Sequence, residues 1–250
     1  MRQPIKFLPY LKSTVWGGEE ISRFKGLRIN CKNIGESWEL SAVPGCESIV
    51  MDGDDCGMTL ADMVRKYKDE LVGKRVYSRY GDNFPLLVKF IDAQSKLSIQ
   101  MSQPYTDFVQ APIDYTYYPD CDTTSYQEDT FYQEDASREN TSDCQEYTSA
   151  AYTGCDSTGQ GLTESLMKCD HFKVHKEVVD GERKIRNNED SFMGLVCIGG
   201  NGSLKVDGVS TSVKQGESLL LPAHTDEFDV EGTMALLTIV IPTLMAEAQG

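Results

Sequence analysis

Imidazole side chains, which could bind a metal ion or transfer a proton, are few in this sequence. It contains three histidines, His171, His175 and His224. His171 and His175 alternate with the apolar Phe172 and Val174, which predicts that both lie on one face of a strand, about 13 Å apart. That distance is too long for one shared metal ion, so we expect a solvated strand face. His224 lies at the end of another predicted strand, where we expect a turn.

A second set of candidates lies in the stretch FPLLVKFIDAQSKLSIQMSQPY, residues 84–105. Two strand-like apolar runs lead here to polar residues. Lys89 is surrounded by apolar neighbours in LLVKF, and a buried ammonium group needs a partner or a cavity. The alternative is an edge strand from which the lysine reaches water. Gln100 ends the second run, where a binding residue is expected, and Met-Ser-Gln-Pro follows it.

Composition limits the classes of protein to which the chain can belong. A chain of 250 residues with 40% hydrophobic residues buries one large core or two small ones. Its net charge of -15 argues against nucleic-acid binding, which begins with a basic surface. The longest apolar runs, such as residues 235–242, are too short to span a membrane. The N-terminal residues are not expected to form a signal peptide, because prolines and lysines interrupt the apolar positions.

The cysteine pattern agrees with a cytoplasmic location. Eight cysteines are scattered along the chain with no C-x-x-C pair. A chain of this length does not need disulfides for stability, so we expect free thiols and a cytoplasmic protein.

Charge and composition divide the chain into three parts. Residues 101–165 contain thirteen Asp or Glu residues, eight tyrosines and one basic residue, Arg138. Such a segment, with few aliphatic residues to bury, is expected to be poorly ordered. We therefore predict an N-terminal region 1–104, an acidic Tyr/Ser/Thr-rich insert 105–165 and a C-terminal region 166–250.

The N-terminal region combines strand-like runs with one amphipathic segment. Thr59 can cap a helix that places Leu60, Met63, Val64, Tyr67 and Leu71 on one face and stops at Gly73, which predicts a helix over 59–72. Strands are expected in SWELSAV (37–43), ESIVMDG (47–53) and FPLLVKFIDA (84–93).

The C-terminal region reads as consecutive short strands. The predicted strands are FKVHKEVV, FMGLVCIGG, GSLKVDG, VSTSVKQG, ESLLLPA and ALLTIVIP. Residues 216–222, GESLLLP, resemble the second motif of cupin β-barrels. The first cupin motif, with its paired histidines and glutamate, does not precede it. We therefore expect a mainly β protein, with a C-terminal cupin-type barrel (jelly roll) that binds no metal. The N-terminal region is expected to form an incomplete cupin with one helix.

Several motifs in order resemble the short bacterial type I mannose-6-phosphate isomerases. They are STVWGG (13–18), GESWELSAVPG (35–45), TLADMVRKYKDELVG (59–73) and FPLLVKFIDAQSKLSIQ (84–100). The fragment APIDYTYYPD (111–120) and the C-terminal strands resemble the later part of the family. The resemblance is strongest over the first hundred residues and is lost between the two regions.

The resemblance implies a reaction and a set of site residues. Family members interconvert mannose 6-phosphate and fructose 6-phosphate by moving a proton between C1 and C2. A divalent metal, zinc in this family, stabilises the charge that builds on the sugar oxygens. By resemblance Gln100 is a metal ligand, Lys89 and Glu36 are catalytic, and Trp16 and Lys89 bind substrate.

The sequence departs from the family where further metal ligands should lie. In the family a Gln-x-His-Pro turn supplies ligands, followed by a glutamate and a second histidine. Here Ser102 stands at the histidine position, Pro104 comes one residue late, and the acidic segment replaces the rest. The catalytic site is therefore expected to be incomplete, and zinc is a cofactor of the family that this chain is not expected to hold.

Two hypotheses for function follow. The chain is either a mannose-6-phosphate isomerase relative with impaired activity, or a non-catalytic cupin protein that binds a sugar phosphate or a protein partner. A third alternative is that the middle of the coding sequence is rearranged or misread. No nucleic acid or membrane partner is expected, and unpaired strand edges favour self-association.

Overall fold

The computed structural model describes residues 3–27, 33–94, 154–155 and 161–242, and these are mainly antiparallel strands. The strands are β1 (Ile5–Leu8), β2 (Tyr10–Gly18), β3 (Ile34–Leu40), β4 (Ile49–Val50), β5 (Val88–Ile91), β6 (Gly154–Cys155), β7 (Gly161–Lys168), β8 (Lys173–Arg186), β9 (Met193–Val206), β10 (Val209–Lys214), β11 (Ser218–Leu221) and β12 (Glu227–Val240). The helices are α1 (Glu20–Phe24), α2 (Leu60–Tyr67), α3 (Asp69–Val72) and α4 (Lys74–Tyr80). The prediction of a mainly β, cupin-type fold is confirmed.

The large sheet is built on three long strands of the C-terminal region. Strand β12 pairs along its whole length with β8 on one side and with β9 on the other. The sheet order is β4-β1-β11-β9-β12-β8-β7-β6, and β10 pairs with β9. Alternate side chains of these strands, among them Leu195, Leu204, Val230 and Leu236, form one buried core.

Two of the predicted strands are a single strand in the structure. FMGLVCIGG and GSLKVDG both lie in β9. The glycines between them were expected to form a turn. Instead, Gly199 and Gly200 stay paired with β12 next to a register shift at Ala235 and Leu236. The glycine pair thus accommodates a β-bulge, and the strand continues through it.

The N-terminal region contributes strands to the same large sheet. Ile5 of β1 lies opposite Leu220 of β11, and Val50 of β4 lies opposite Phe7 of β1. The two sequence regions therefore share one hydrogen-bonded sheet. Among the strands that the structure describes, the pairing path runs from β4 to β6 without closing on itself.

The predicted helix over 59–72 is two helices, and a third follows. The Thr59 hydroxyl accepts a hydrogen bond from the Asp62 backbone N–H at 3.0 Å, as the capping pattern predicted. Helix α2 ends because Lys68 adopts a φ of 49°, a left-handed conformation that cannot continue a right-handed helix. Helix α3 then ends at Gly73, whose φ is 95°, and α4 begins at once. The predicted apolar face is buried, since Leu60, Met63, Val64 and Leu71 are each 0% exposed.

A second, three-stranded sheet carries the residues that the sequence selected for function. Its order is β2-β3-β5, so β3 lies in the centre. Lys12 of β2 lies opposite Glu36 of β3, and Trp38 of β3 lies opposite Lys89 of β5. Successive side chains of β3 project from opposite faces of this sheet.

Two further observations concern the described part of the chain. Its cysteines Cys46, Cys56, Cys169 and Cys197 are free thiols. None of the helices there has the length and apolar character that a membrane crossing requires.

Candidate functional site

Cross-strand register brings six side chains together on one face of the three-stranded sheet. Two neighbouring rows cross β2, β3 and β5, and side chains in the same row lie side by side. We call this set the polar sheet face: Tyr10, Trp38 and Lys89 in one row, and Lys12, Glu36 and Ile91 in the next.

Glu36 is the buried centre of the polar sheet face. It is 2% exposed, yet each side of its carboxylate has a partner. Oε2 accepts a hydrogen bond from Trp38 Nε1 at 2.6 Å and one from Lys89 Nζ at 3.2 Å. Oε1 lies 3.6 Å from Lys12 Nζ. A buried carboxylate thus has an indole and two ammonium groups around it.

The environment keeps Glu36 ionised. Burial alone raises the pKa of this carboxyl, but the charge of Lys89, the hydrogen bonds from Trp38 and Lys89, and the charge of Lys12 outweigh it. The pKa of Glu36 is therefore lowered. A carboxylate with a lowered pKa is a weak proton acceptor, so its surroundings suit it to holding charge rather than to abstracting a proton.

Trp38 forms an aromatic surface between the two lysines. Lys89 Nζ lies 5.3 Å and Lys12 Nζ 5.6 Å from the indole ring, distances typical of cation–π contacts. Tyr10 meets the indole edge to face at 6.4 Å between ring centroids. An indole beside two ammonium groups offers an apolar surface for a sugar ring and positive charge for a phosphate.

Sequence reasoning selected Glu36 and Lys89 but missed three members of this face. Lys12, Trp38 and Tyr10 were not among the candidate residues. Trp38 lies two residues after Glu36 on the same strand, so strand alternation predicts a common face. The partnership of Lys12 depends on the pairing of β2 with β3, which is a long-range contact.

Trp16 lies next to the strand that carries Glu36. Its side chain is 8% exposed and packs on Gly35, where a Cβ atom would come within 2.7 Å of the indole and 2.0 Å of Thr14 Oγ1. Its backbone carbonyl accepts a hydrogen bond from the Gln94 N–H at 2.9 Å. Trp16 thus supports the start of β3, and its expected contact with substrate stays a prediction.

The opposite face of β3 holds a second buried carboxylate, Glu39, which is 1% exposed. Its Oε1 accepts hydrogen bonds from Lys25 Nζ at 2.7 Å and Ser37 Oγ at 2.6 Å. Its Oε2 accepts one from Ser218 Oγ at 2.6 Å. We call these four residues the buried carboxylate network.

The buried carboxylate network anchors β3 to the GESLLLP motif of the other sheet. Ser218 begins β11, and Lys25 Nζ also donates to the carbonyl oxygen of Gly216. Gln215 Nε2 donates to the carbonyl oxygen of Phe24 at 3.0 Å. The strand that positions Glu36 and Trp38 is therefore held from behind by the C-terminal region.

Comparison with known families gives a consistent result over most of the chain. Residues 5–127 match the family described as phosphomannose isomerase type I, catalytic domain. Residues 163–241 match the family described as mannose-6-phosphate isomerase, cupin domain. The chain belongs to the type I mannose-6-phosphate isomerase family.

Curated relatives show how this member of the isomerase family compares in sequence. Mannose-6-phosphate isomerase ManA of Bacillus subtilis (strain 168) is 34% identical over 99 residues, which cover 40% of this chain and 30% of ManA. The putative mannose-6-phosphate isomerase YvyI of the same organism is 22% identical over 94% of this chain and 98% of its own length. The strong local match therefore spans less than a third of ManA, while the weaker one spans nearly all of YvyI.

Solved structures confirm the family fold. Mannose 6-phosphate isomerase from Salmonella typhimurium, bound to fructose 6-phosphate and zinc, has a TM-score of 0.66 at 14% identity; 96% of this chain and 100% of that chain are covered. The Bacillus subtilis enzyme has a TM-score of 0.59 at 16% identity, with 95% and 99% covered. At these identities the likeness establishes the fold alone.

The three histidines of this isomerase-family chain lie outside the three-stranded sheet that carries the polar sheet face, and far from it in sequence. His171 lies in a bend before β8, so the expectation that it shares a strand face with His175 is wrong. His175 belongs to β8 and is half-buried, on the same side of the strand as the buried Glu177. Burial lowers the pKa of His175, partly offset by Glu177, so this is not a solvated face. His224 is an exposed turn residue, as expected.

The described residues do not fit a zinc ion. Within the ranges that the structure covers, no three side chains of the types His, Cys, Asp and Glu come together as a metal site. The predicted ligand Gln100, together with Ser102 and Pro104, lies outside the described residues. The polar sheet face itself combines one carboxylate with two ammonium groups, a set that suits an anion better than a cation.

Proposed function

We propose that this member of the type I mannose-6-phosphate isomerase family binds a sugar phosphate, mannose 6-phosphate or fructose 6-phosphate, on the polar sheet face. We further propose that it interconverts the two sugars only slowly. The arrangement of Lys89, Glu36 and Lys12 around the Trp38 ring is the observation that supports this function. Family membership supports the choice of ligand.

The charges of the polar sheet face favour phosphate. Glu36 balances one ammonium charge, and the second remains to attract an anion. Lys89 is tied to Glu36 and held over Trp38, so its ammonium group is oriented before any ligand arrives. Lys12 is more exposed, at 44% of its side chain against 29% for Lys89, and adds charge at the margin. We assign Lys89 as the main phosphate-binding group and Glu36 as the residue that positions it.

Two features support slow turnover. Aldose–ketose interconversion needs a base that accepts a carbon-bound proton, and the lowered pKa of Glu36 makes it a poor one. In addition, Ser102 stands where the family has a histidine ligand, and the segment with the other ligands is replaced. Loss of Lewis-acid stabilisation costs several kcal/mol of barrier, which corresponds to a rate reduction of about a thousandfold or more.

The same features support a second candidate, a cupin protein that binds a sugar phosphate without turning it over. The two candidates share the binding site and differ in the proton-transfer step alone.

The free thiols of the described residues favour a cytoplasmic protein in either case. Among the strands that the structure describes, β2 and β5 are the outer strands of the three-stranded sheet, and edge strands of this kind favour self-association.

Two measurements test the proposal. One is a coupled assay of mannose 6-phosphate turnover with and without added zinc, and the other is calorimetric titration with fructose 6-phosphate. The proteins are the wild type, Lys89→Ala, Ser102→His and, as a control, Glu70→Ala at an exposed position of α3. We expect binding that Lys89→Ala weakens and Glu70→Ala leaves unchanged. Turnover should be about a thousandfold below that of an intact relative, and Ser102→His alone should not restore it.

The outcomes separate the candidates. Binding with no measurable turnover assigns the non-catalytic function. Fast zinc-dependent turnover that Lys89→Ala abolishes would overturn the proposal of impairment. Absence of sugar-phosphate binding would overturn the assignment of the polar sheet face as the substrate site.

A further inference from the structure

A surface cavity of about 380 Å³ lies beside α4, where the end of β12 and the loop before Phe192 meet that helix. Its floor is apolar and includes Val76 and Ile241, which are 3% and 6% exposed. The cavity shares no residue with the polar sheet face, and its volume lies within the range of small-molecule sites.

The rim of this cavity is basic. Lys74, Arg75 and Arg79 all line it and all are exposed. Three cationic residues on one seven-residue helix are notable in a chain whose net charge is -15. The Arg79 guanidinium lies 5.2 Å from the Tyr80 ring, and this stacking limits the directions in which it can point.

Among the described residues that line the cavity, the acidic one is Asp190, and its carboxylate already has partners. Asp190 accepts hydrogen bonds from the backbone N–H groups of Lys74 at 3.3 Å and Arg75 at 3.1 Å. Its carboxylate therefore caps the start of α4, and the backbone groups there are not available to a ligand. The positive charge of the rim comes from the side chains of Lys74, Arg75 and Arg79.

We propose that this cavity binds a small organic anion, a carboxylate or phosphate carried on an apolar body. The cationic rim supplies charge-assisted hydrogen bonds to the anionic group. The buried apolar floor removes the ligand's hydrocarbon surface from water. Tight binding needs both the rim and the floor. Inorganic phosphate lacks an apolar body for the floor, and an uncharged aromatic compound lacks an anionic group for the rim.

Ligand-observed NMR titration of the full chain tests this with four probes: phenyl phosphate, benzoate, inorganic phosphate and phenol. We expect phenyl phosphate or benzoate to bind, and the tighter of the two identifies the preferred anionic group. Inorganic phosphate and phenol should each bind at least about tenfold more weakly, since each lacks one half of the interaction.

Variants locate the binding on the molecule. Lys74→Gln/Arg79→Gln should weaken the better probe about tenfold or more, because both changes remove rim charge while keeping polar side chains. Lys89→Ala on the polar sheet face should leave it unchanged, so that failure here and failure of the proposed function are distinguishable. Unchanged thermal unfolding of the double variant excludes loss of fold as the cause.

Three results would overturn the proposal. They are the absence of binding by both organic anions, equal binding to the wild type and the double variant, and phenol binding as tight as that of phenyl phosphate. Loss of probe binding in Lys89→Ala would show that the probe binds at the polar sheet face and not in this cavity.

Discussion

Lys89 and Glu36 form an ion pair diagonally across two strands, with Lys89 Nζ 3.2 Å from Glu36 Oε2. They are not direct register partners, because Lys89 lies opposite Trp38 and Glu36 lies opposite Ile91. Trp38 Nε1 donates to the same oxygen of Glu36 that accepts from Lys89. The pair is therefore oriented by an indole that both residues contact, and each of the three depends on the other two.

Lys89 should contribute more to sugar-phosphate binding than Lys12 does. We expect Lys89→Ala to weaken sugar-phosphate binding about tenfold, because it removes the oriented ammonium group. Lys12→Ala should have a smaller effect, since its ammonium lies farther from Glu36 and its side chain is more exposed. Calorimetric titration with fructose 6-phosphate measures both. An equal effect of the two substitutions would contradict the assignment of Lys89 as the main anchor.

The lowered pKa of Glu36 predicts a pH-dependent share of stability. Its folded-state pKa lies below the ordinary value of 4.5, so its contribution is present above that pH and is lost as the pH falls through the folded pKa. Wild-type protein should therefore lose more unfolding free energy between neutral pH and acid below 4.5 than Glu36→Gln does. Urea unfolding at a series of pH values measures this, with Glu70→Gln as the exposed control. Parallel pH profiles for wild type and Glu36→Gln would refute it.

The Glu39–Lys25 pair should behave as a buried ion pair. Removing one partner leaves the other charge buried without its counterion, so Glu39→Ala or Lys25→Ala should each cost about 3–5 kcal/mol of unfolding free energy. The double variant should cost less than the sum of the two. A urea double-mutant cycle tests this. The exposed pair of Lys184 and Glu227, 3.0 Å apart, serves as control and should show no measurable coupling. Additive single effects at Glu39 and Lys25 would disprove the interpretation.

Gly35 should tolerate no side chain. In Gly35→Ala the new methyl group would meet the Trp16 ring and Thr14 Oγ1, so we expect a loss of about 1–3 kcal/mol and an altered near-UV circular dichroism spectrum. Gly199→Ala is the matched control, because a Cβ there would meet nothing within 4 Å. Urea unfolding compares the two variants. A Gly35→Ala protein as stable as Gly199→Ala would show that Trp16 does not pack on this glycine.

Cleavage of the chain between its two regions should not separate them. The composition of residues 105–165 predicts sensitivity to protease, and β1 pairs with β11 of the other region. We therefore expect the two fragments to coelute from a sizing column in native buffer and to separate in urea. Release of the C-terminal fragment in native buffer would contradict a shared sheet.

Local patterns in the amino-acid sequence are sufficient to identify the fold class and the family. Strand alternation and the glycine–strand–proline pattern at Gly216–Pro222 are local features, and a short window contains all that is needed to recognise them. The same is true of the Thr59 cap and of the apolar face that begins at Leu60. Candidate residues Glu36 and Lys89 came from motif order, which is also a property of the chain alone.

Long-range pairing decided what the sequence could not. The end of α2 at Lys68 and the joining of two predicted strands into β9 required conformations that tertiary contacts impose on residues with no strong local preference for them. The contacts of Lys12 with Glu36 and of Glu39 with Ser218 join segments far apart in sequence. Their geometry depends on the register of β2 on β3 and on the docking of β3 against β11. The pairing of the strands and their register select the partner of each side chain. For this reason the tertiary structure is needed to show that β3 carries two buried carboxylates, Glu36 on the polar sheet face and Glu39 on the opposite face, toward the C-terminal region.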